Sequence, residues 1–273
     1  MVTKISPMNA HHCDLNRVEY PVFLQPKYDG KRRMYSPSLG GWSRIGTDDR
    51  EGTTEHLNFN YDCHQAILDG EVMLDHDRYS FQESMSACQR AHHPLARHLR
   101  YFVFDCYVRE RPNMTFENRF QLVSNLINMD HVPDNVMVAP TYKVYSESDL
   151  LLRHEEFLSE GYEGSMVRVP NSPYEIGKRS RYVTKLKKWS EDEFEIIEVN
   201  QGIGKDAGHA MFKCKTPSGQ TFDVRPADTY HVRAEQFVRR DELLGKMLTV
   251  RYVILTERGV PRDPRGKGVR NYE

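Results

Sequence analysis

Short apolar and aromatic runs of strand length recur along the chain, separated by polar and turn-forming residues. Seven of these runs are predicted to be β-strands, at residues 21–24, 66–74, 101–108, 136–144, 165–169, 194–199 and 247–255. Two longer segments, 115–129 and 147–160, instead space their apolar residues three and four positions apart, which predicts amphipathic helices. The second helix opens with a capping residue, Ser146, and stops at Gly161. Strands mixed with a few helices predict an α+β protein.

The pattern changes after Lys187-Lys188-Trp189. The acidic segment 190–193 that follows is typical of a linker or of the entry to a strand. Beyond it the chain carries short strands, a turn signal at 216–219 and one short helix-like stretch at 234–244. This rhythm and size predict a small β-barrel. We therefore expect two domains, 1–189 and 190–273.

Composition limits where a charged partner can bind. The 38 Lys and Arg residues nearly balance the 39 Asp and Glu residues, so any basic contact surface must be local. The five cysteines are scattered and form no C-x-x-C pair, which disfavours disulfides or a zinc site and indicates a reducing compartment. No apolar run approaches the length of about 20 residues that spans a membrane. The first 16 residues also lack the apolar core of a signal peptide, so a soluble intracellular protein is expected.

The most informative segment is Gln25-Pro26-Lys27-Tyr28-Asp29-Gly30-Lys31-Arg32. It contains the pattern K-x-D-G-x-R at the end of a predicted strand. A lysine is a nucleophile only when neutral, and at an ordinary pKa of about 10.4 only about one in 2,500 side chains is neutral at pH 7. A working lysine nucleophile therefore needs burial or cationic neighbours. The alternative is a solvated β-turn flanked by charges.

Further charged motifs follow in order along the chain. Ser43-Arg44-Ile45-Gly46 places an arginine beside a turn, where a guanidinium suits a phosphate. Leu68-Asp69-Gly70-Glu71 and Glu163-Gly164-Ser165 each set carboxylates beside a glycine. A strand at 101–105 ends in Phe104-Asp105. Lys185-Leu186-Lys187 alternates, so both ammonium groups point to one face of a strand.

Taken together, these ordered motifs resemble the covalent nucleotidyltransferase superfamily of ATP-dependent DNA ligases, RNA ligases and mRNA capping enzymes. The short segment before the lysine and the compact length are most similar to the small ATP-dependent DNA ligases of viruses and bacteriophages. The resemblance implies an α+β nucleotidyltransferase (adenylation) domain with mixed and antiparallel sheets at 1–189. An OB-fold β-barrel would follow at 190–273.

The resemblance also implies a reaction. Lys27 would attack the α-phosphorus of ATP and become lysyl-AMP, then pass AMP to the 5'-phosphate of a nick in duplex DNA. The 3'-hydroxyl would displace AMP and seal the strand. Phosphoryl transfer requires mainly positioning and charge neutralisation. The implied catalytic residues are Lys27, Asp29, Arg32, Lys185 and Lys187.

Ligand roles follow from the same resemblance. Glu71 would hold the ribose, Phe104 would stack on adenine, and Gln25 would read the adenine edge. Arg32, Lys185 and Lys187 would contact the phosphates. Glu163, with Glu71, would hold Mg²⁺ (or Mn²⁺). The residues expected to contact nucleic acid are Arg32, Ser43, Arg44, Lys178, Arg179 and Arg181. Without the ordered set, Phe104 is an ordinary core residue, Glu71 a turn cap and 178–181 a solvated loop.

The basic tail resembles the last motif of the family, in which an arginine orients pyrophosphate. Arg262 is the first candidate, and Arg265 and Arg270 remain alternatives because Asp263 stands where the family usually has an aromatic residue. A basic end that grips DNA phosphates is the other interpretation of this segment.

Two other functions share some of these features. An RNA ligase or capping enzyme uses the same lysine chemistry, and capping would need GTP instead of ATP. A nonenzymatic nick-binding module is disfavoured because Lys27 and its supporting residues are all present. The expected partner is nicked duplex DNA with a 5'-phosphate, and the expected state is a monomer with no membrane contact. We expect it in the cytoplasm of a bacterial or virus-infected cell.

Overall fold

The computed structural model describes residues 3–61, 66–188, 190–252, 255–256 and 258–270. The chain divides into two compact units, Met1–Leu186 and Lys187–Glu273. This division lies close to the expected change after residue 189, and the domain limits 1–189 and 190–273 stay a prediction. None of the helices in the described ranges has the length and apolar character that a bilayer span requires.

The bounds of the regular elements are as follows. The strands are β1 (Asn9–His12), β2 (Val22–Pro26), β3 (Lys31–Ser36), β4 (Gly40–Ser43), β5 (Ala66–Met73), β6 (Arg100–Val108), β7 (Val136–Val138), β8 (Tyr142–Val144), β9 (Gly164–Arg168), β10 (Arg179–Lys187), β11 (Ser190–Gln201), β12 (Ala210–Lys215), β13 (Thr221–Pro226), β14 (Met247–Tyr252) and β15 (Arg265–Val269). The α-helices are α1 (Phe81–Gln89), α2 (Phe116–Ile127), α3 (Glu147–Ser159) and α4 (Tyr230–Val238). Short 3-10 turns lie at Leu15–Arg17, Glu55–Leu57, Ala96–His98, Gly204–Asp206 and Arg240–Glu242.

The first unit contains two five-stranded sheets. Their strand orders are β1-β10-β9-β2-β8 and β4-β3-β5-β6-β7. The pairs β1–β10 and β6–β7 are parallel, whereas β2–β9, β3–β5 and β5–β6 are antiparallel. Met34, Trp42 and Ile67 of the second sheet pack with Val183 of the first and with Met8, the residue before β1, so apolar faces of the two sheets meet. These mixed and antiparallel sheets confirm the predicted fold class.

Two helices cover the outer faces of these sheets. Helix α2 is capped by Thr115, packs on β6 and β7, and buries Phe116 and Val123. Helix α3 is capped by Ser146 and packs on β2 and β9. Both helices were predicted because each repeats apolar residues on one face.

Two predicted elements are wrong in their extent. The run 136–144 is not one strand, because it breaks at Ala139-Pro140-Thr141 into β7 and β8, which belong to different sheets. Pro140 has no N–H to donate to a strand ladder. The stretch 234–244 is helical only in part: α4 begins after its cap, Thr229, and ends at Val238, and a 3-10 turn follows. For the predicted strand 247–255, residues 253 and 254 lie outside the described residues.

The second unit is a closed five-stranded barrel in the order β11-β12-β13-β15-β14. The pair β13–β15 is parallel and the pairs β11–β12, β11–β14, β12–β13 and β14–β15 are antiparallel. Alternate residues of each strand point inward and form one apolar core around Phe194, Ile196, Phe212, Val224 and Leu248. The predicted barrel is therefore confirmed.

Candidate active site

A cavity of about 240 Å³ opens between the two sheets of the first unit. One side is lined from β2, β9 and β10 and the other from β3, β5 and β6. The lining residues are Asn9, Ala10, Gln25, Pro26, Lys27, Tyr28, Arg32, Arg44, Glu71, Phe104, Met166, Arg168, Arg179 and Lys185. Six of these side chains are lysine or arginine and one is a carboxylate, so the cavity suits a strongly anionic ligand.

Strand pairing fixes the position of Lys27. Strand β2 runs antiparallel to β9 with Pro26 opposite Ser165, and the ladder continues as the Lys27 N–H donates to the Gly164 carbonyl at 2.8 Å. The Glu163 N–H in turn donates to the Lys27 carbonyl at 3.2 Å. As a result the Lys27 Nζ donates a hydrogen bond to the Glu163 carboxylate. The two motifs, 136 residues apart, meet as one ion pair in which both side chains are largely buried.

Glycine in the K-x-D-G turn is required by a close approach of the backbone. A Cβ at Gly30 would lie 2.4 Å from the carbonyl oxygen of Val72. Asp29 belongs to this turn. The turn leads into β3, where Arg32 stands directly opposite Glu71 on β5.

Arg32 is fixed by a bidentate ion pair with Asp69. Its Nε donates to Oδ1 at 2.5 Å and its Nη2 to Oδ2 at 2.6 Å. The Tyr174 hydroxyl donates to the same carboxylate at 2.6 Å. Asp69 is fully buried, so the pair is shielded from solvent, while Arg32 keeps a partly exposed face in the cavity. The first carboxylate of the L-D-G-E motif thus orients an arginine.

Glu71, the second carboxylate of that motif, has a perturbed ionisation. Burial raises the pKa of Glu71 to about 7, and the positive charges of Arg32 and Lys27 only partly oppose this effect. Only glycine fits at the intervening position 70, because a Cβ there would lie 2.4 Å from the Phe102 carbonyl oxygen. At neutral pH Glu71 therefore exists in both protonated and ionised forms.

A β-bulge sets the position of Phe104. Between β5 and β6, Asp69 pairs with Asp105 and Gly70 pairs with Val103, so Phe104 is the extra residue on β6. Bulges commonly re-aim side chains beside active sites. The Phe104 ring lines the cavity and is contacted by the Arg32 guanidinium at 4.6 Å from its centroid. The bulge explains why a largely buried phenylalanine reaches the cavity.

The wall beside Phe104 is polar and buried. Gln25 on β2 donates from Nε2 to the Phe104 carbonyl (3.1 Å) and the Thr141 hydroxyl (2.9 Å). Its Oε1 accepts from Arg168 Nε at 2.5 Å. Arg168 also donates from Nη1 to Asp105 at 2.9 Å. Met166, two residues earlier on β9, pairs in register with Gln25 and lines the same wall.

The cavity rim carries exposed basic side chains. Arg44 projects from the turn after β4, and the Ser43 hydroxyl closes that turn by accepting from the Thr47 N–H at 3.2 Å. Arg179 begins β10, donates to the Ala10 carbonyl at 2.8 Å and lines the cavity. Lys178 and Arg181 flank it on the exposed surface. The rim thus presents a basic surface, and lysine and arginine side chains of this kind suit phosphate groups.

Comparisons with known proteins decide the family. Residues 5–187 match the family model described as the ATP dependent DNA ligase domain. Residues 201–270 match the model described as the DNA ligase OB-like domain. The chain belongs to the ATP-dependent DNA ligase family. This confirms the predicted family, and members of this family use ATP.

Viral DNA ligases are among the similar proteins. A DNA ligase of African swine fever virus is 31% identical over 254 residues, which cover 89% of this chain and 59% of the viral protein. The ligase of another isolate is 31% identical over 218 residues, covering 75% of this chain and 52% of that protein. The chain therefore spans only 52–59% of the length of these curated relatives.

Solved ligase structures share the fold. A structure titled "DNA binding with a minimal scaffold: Structure-function analysis of Lig E DNA ligases" superposes with a TM-score of 0.80 at 19% identity, covering 98% of this chain and all of that one. Chlorella virus DNA ligase-adenylate gives a TM-score of 0.56 at 22% identity, with 98% and 99% covered. The bacteriophage T7 ligase in complex with ATP gives 0.56 at 18% identity, with 97% and 98% covered.

The structure brings most of the expected ligase residues together. Glu163 accepts a hydrogen bond from Lys27. The expected residues that line the cavity are Gln25, Lys27, Arg32, Arg44, Glu71, Phe104, Arg179 and Lys185. Among the described residues, this lining does not include Asp29, Ser43, Lys178 or Arg181. Lys187 and Arg262 belong to the second unit, where Lys187 pairs with Asp263 at 3.1 Å. The individual roles of all these residues stay predictions.

Sequence reasoning missed several lining residues, chiefly Met166 and Arg168. A signal existed, because Gly164, Met166 and Arg168 alternate on one face of a strand that follows Glu163. Within the described residues no cluster of three or more His, Cys, Asp or Glu side chains forms a metal site.

Proposed function

We propose that this chain seals 5'-phosphate/3'-hydroxyl nicks in duplex DNA, using ATP through a lysyl-AMP intermediate on Lys27 and then a DNA-adenylate. The observation that carries the proposal is the cavity itself: Lys27 lies in it beside Glu71, Phe104 and several cations. Membership of the ATP-dependent DNA ligase family supports both the nucleotide and the DNA substrate. The chain spans only 52–59% of the length of the viral relatives, so their DNA-sealing activity is proposed for this chain and not carried over from them.

The first step needs a lone pair on Lys27. The ammonium now donates to Glu163 and must lose a proton before Nζ can attack the α-phosphorus. Attack forms the N–P bond, breaks the bond to the bridging oxygen and releases pyrophosphate. Lys185 and Arg32 lie in the same cavity and would neutralise charge on the α-phosphate as it develops.

Adenosine would occupy the end of the cavity away from the phosphates. Phe104 and Met166 offer apolar surface for the base, and Gln25 and Arg168 offer polar groups at its edge. Glu71 would bond to ribose hydroxyls, and its protonated form can also donate a hydrogen bond.

The carboxylates fit a divalent cation of the Mg²⁺ type, which in nucleotide sites binds one or two carboxylates and keeps several waters. Glu163, with Glu71 as the second candidate, would hold it. When bound there, Mg²⁺ or Mn²⁺ would supply positive charge that offsets the charge of the phosphates.

The nick would bind at the basic rim. Arg44 and Arg179 are exposed at the cavity mouth, with Lys178 and Arg181 next to them on the surface. Arginine forks suit a terminal 5'-phosphate, and contacts of this kind position DNA without reading its sequence. Ser43 supports Arg44 through the turn it closes. We further propose that the protein works as a monomer in the cytoplasm of a bacterial or virus-infected cell.

The test is sealing of a 5'-phosphorylated nick in duplex DNA with ATP and Mg²⁺, together with intact-protein mass spectrometry. Wild type should seal the nick and gain the mass of one AMP, and Lys27→Ala should do neither. Lys31→Ala is the matched control, because Lys31 belongs to the same motif but pairs with Asp49 at 3.3 Å and should retain AMP. If wild type gains AMP yet seals only RNA ends, RNA and not DNA is the substrate. A wild type that gains no AMP would refute the proposal.

A further inference from the structure

A buried histidine lies on the inner face of helix α3, against the strands that lead to the nucleophile. The helix packs on β2 and β9, and its buried residues are Leu150, His154 and Phe157. Leu150 and Phe157 belong to an apolar cluster with Leu24 of β2 and Val167 of β9. A polar ring at such a place costs free energy unless it is hydrogen-bonded. The histidine therefore needs a partner.

That partner is the hydroxyl group of Ser165 on β9. His154 Nδ1 and Ser165 Oγ lie 2.8 Å apart, and the two residues are 5% and 0% exposed. Burial lowers the pKa of His154 below its usual range, so the ring is neutral at pH 7 and the bond joins two uncharged groups. Two apolar side chains of similar shape would fill the same space at little cost in stability. Stability alone therefore does not explain why this helix and this strand carry a polar pair.

Ser165 stands at the end of β9 that meets the nucleophile. In the ladder with β2 it pairs with the residue before Lys27, and it follows Glu163 by two positions. The residue between them, Gly164, has a φ of +147°, a backbone conformation that favours glycine. Because glycine turns easily, the direction of the Glu163 side chain depends on how firmly its neighbours are held. The Lys27 carbonyl holds the Glu163 N–H on one side, and the hydrogen bond from α3 holds Ser165 on the other.

We propose that His154 is a positioning residue for the formation of lysyl-AMP: its bond to Ser165 fixes the start of β9 so that the Glu163 carboxylate stays on Lys27. This inference rests on the proposed function, in which Lys27 is the nucleophile. A hydrogen bond is directional, so it fixes one arrangement of α3 and β9, whereas apolar packing is not directional. A displacement of about 1 Å can slow a reaction by about 100-fold even when its cause lies away from the reacting atoms.

The experiment separates the rate of the reaction from the stability of the fold. His154→Leu, Ser165→Ala and the double variant are compared with wild type. Single-turnover formation of lysyl-AMP is followed by intact-protein mass spectrometry as a function of ATP concentration. The Tm of the first unit is followed by the fluorescence of the buried Trp42 in a Trp189→Phe background.

The double variant should be stable but slow. Each single substitution leaves the other polar group buried without its partner, so we expect the Tm to fall by about 5 °C or more. The double variant replaces both groups by apolar ones, and its Tm should return to within about 3 °C of wild type. Its maximal rate of lysyl-AMP formation should stay about tenfold or more below wild type, because the directional bond is still missing. The ATP concentration at half-maximal rate should change by less than about twofold, because no residue that lines the cavity is altered.

Two controls should show the reverse pattern. His154→Asn keeps a polar atom close to the position of Nδ1, so the rate should stay within about threefold of wild type even though asparagine lowers helix stability. Ser84→Ala removes another buried hydroxyl, which joins α1 to the residue after β5 by accepting from the Leu74 N–H at 2.9 Å. This substitution should lower the Tm and leave the rate within about twofold of wild type.

The outcomes distinguish this inference from the proposed function. A double variant that forms lysyl-AMP at the wild-type rate would overturn the inference, and so would an asparagine variant as slow as the leucine variant. If the double variant does not fold, Ser165→Ala and His154→Asn decide, and equal rates for these two would count against the role of His154.

If wild type forms no lysyl-AMP, the proposed function fails, and crystal structures of wild type and of the double variant then decide the inference alone. A Glu163 carboxylate that has moved away from Lys27 in the double variant would sustain it. An unchanged contact between these two side chains would refute it.

Discussion

Substitution of Glu71 by glutamine should change how stability depends on pH. Burial raises the pKa of Glu71 to about 7 from an ordinary value of 4.5, so between these pH values the folded protein keeps a proton that the unfolded chain has lost. Stability conferred by the protonated group is complete below pH 4.5 and is lost as the pH rises through 7. At about 1.36 kcal/mol per pH unit, the loss amounts to about 3 kcal/mol. Glutamine does not titrate and is spared this loss.

Urea denaturation of the full chain between pH 4.5 and 8 measures the effect. Trp42, fully buried in the first unit, reports the unfolding of that unit in a Trp189→Phe background. The free energy of unfolding of wild type minus that of Glu71→Gln should fall by about 3 kcal/mol across this range. Glu110→Gln, at an exposed glutamate outside the cavity, should give a constant difference. A change below about 1 kcal/mol for Glu71→Gln would refute the assignment of a raised pKa to burial.

Three further substitutions test the buried charges, the glycine turn and the tail. Asp105→Asn leaves the two buried guanidiniums of Arg119 and Arg168 without a carboxylate, and we expect urea denaturation to show a loss of about 3–5 kcal/mol; a loss below about 1 kcal/mol would contradict this. Gly30→Ala should lower both the Tm and the rate of lysyl-AMP formation, because the alanine Cβ would clash with the Val72 carbonyl oxygen. Gly268→Ala should preserve both, because a Cβ there has nothing within 4 Å. Equal effects of the two substitutions would contradict the steric explanation. Arg262→Ala should slow lysyl-AMP formation by about tenfold or more and leave sealing of a pre-adenylylated nick within about twofold, since orienting pyrophosphate matters only in the first step; slowing of both reactions would exclude that role.

The tail has to be tested by point substitution because of its place in the barrel. Deleting the residues after Val260 looks from sequence like the removal of a basic end. In the structure this deletion would remove β15, which pairs with both β13 and β14 and closes the barrel. Lost activity in such a truncation would therefore report an unfolded second unit. Arg262 lies before β15, so its side chain can be removed while the strand remains.

The predictable part of the fold is the part with an apolar pattern. Strands such as β5 and β6 bury most of their residues and were visible as apolar runs, and α2 and α3 as periodic ones. Helix α1 was missed because its buried residues are small, namely Ser84, Ala87 and Cys88. Its capping box, Ser80 with Glu83, was a usable signal. Strand β3 was missed because half of it is lysine and arginine.

The missed strand and the missed site residue have the same physical cause. Hydropathy treats arginine as a surface residue, yet Arg33, Arg119, Arg168 and Arg233 are each at most 3% exposed. Each donates hydrogen bonds to a carboxylate in another part of the chain, as with Arg168 and Asp105, 63 residues apart. No local pattern contains such a pair, because it forms where β6 of one sheet packs against β9 of the other. Ordered motifs could therefore predict Lys27 and its family, whereas the pairing of Arg168 with Asp105 required the tertiary structure.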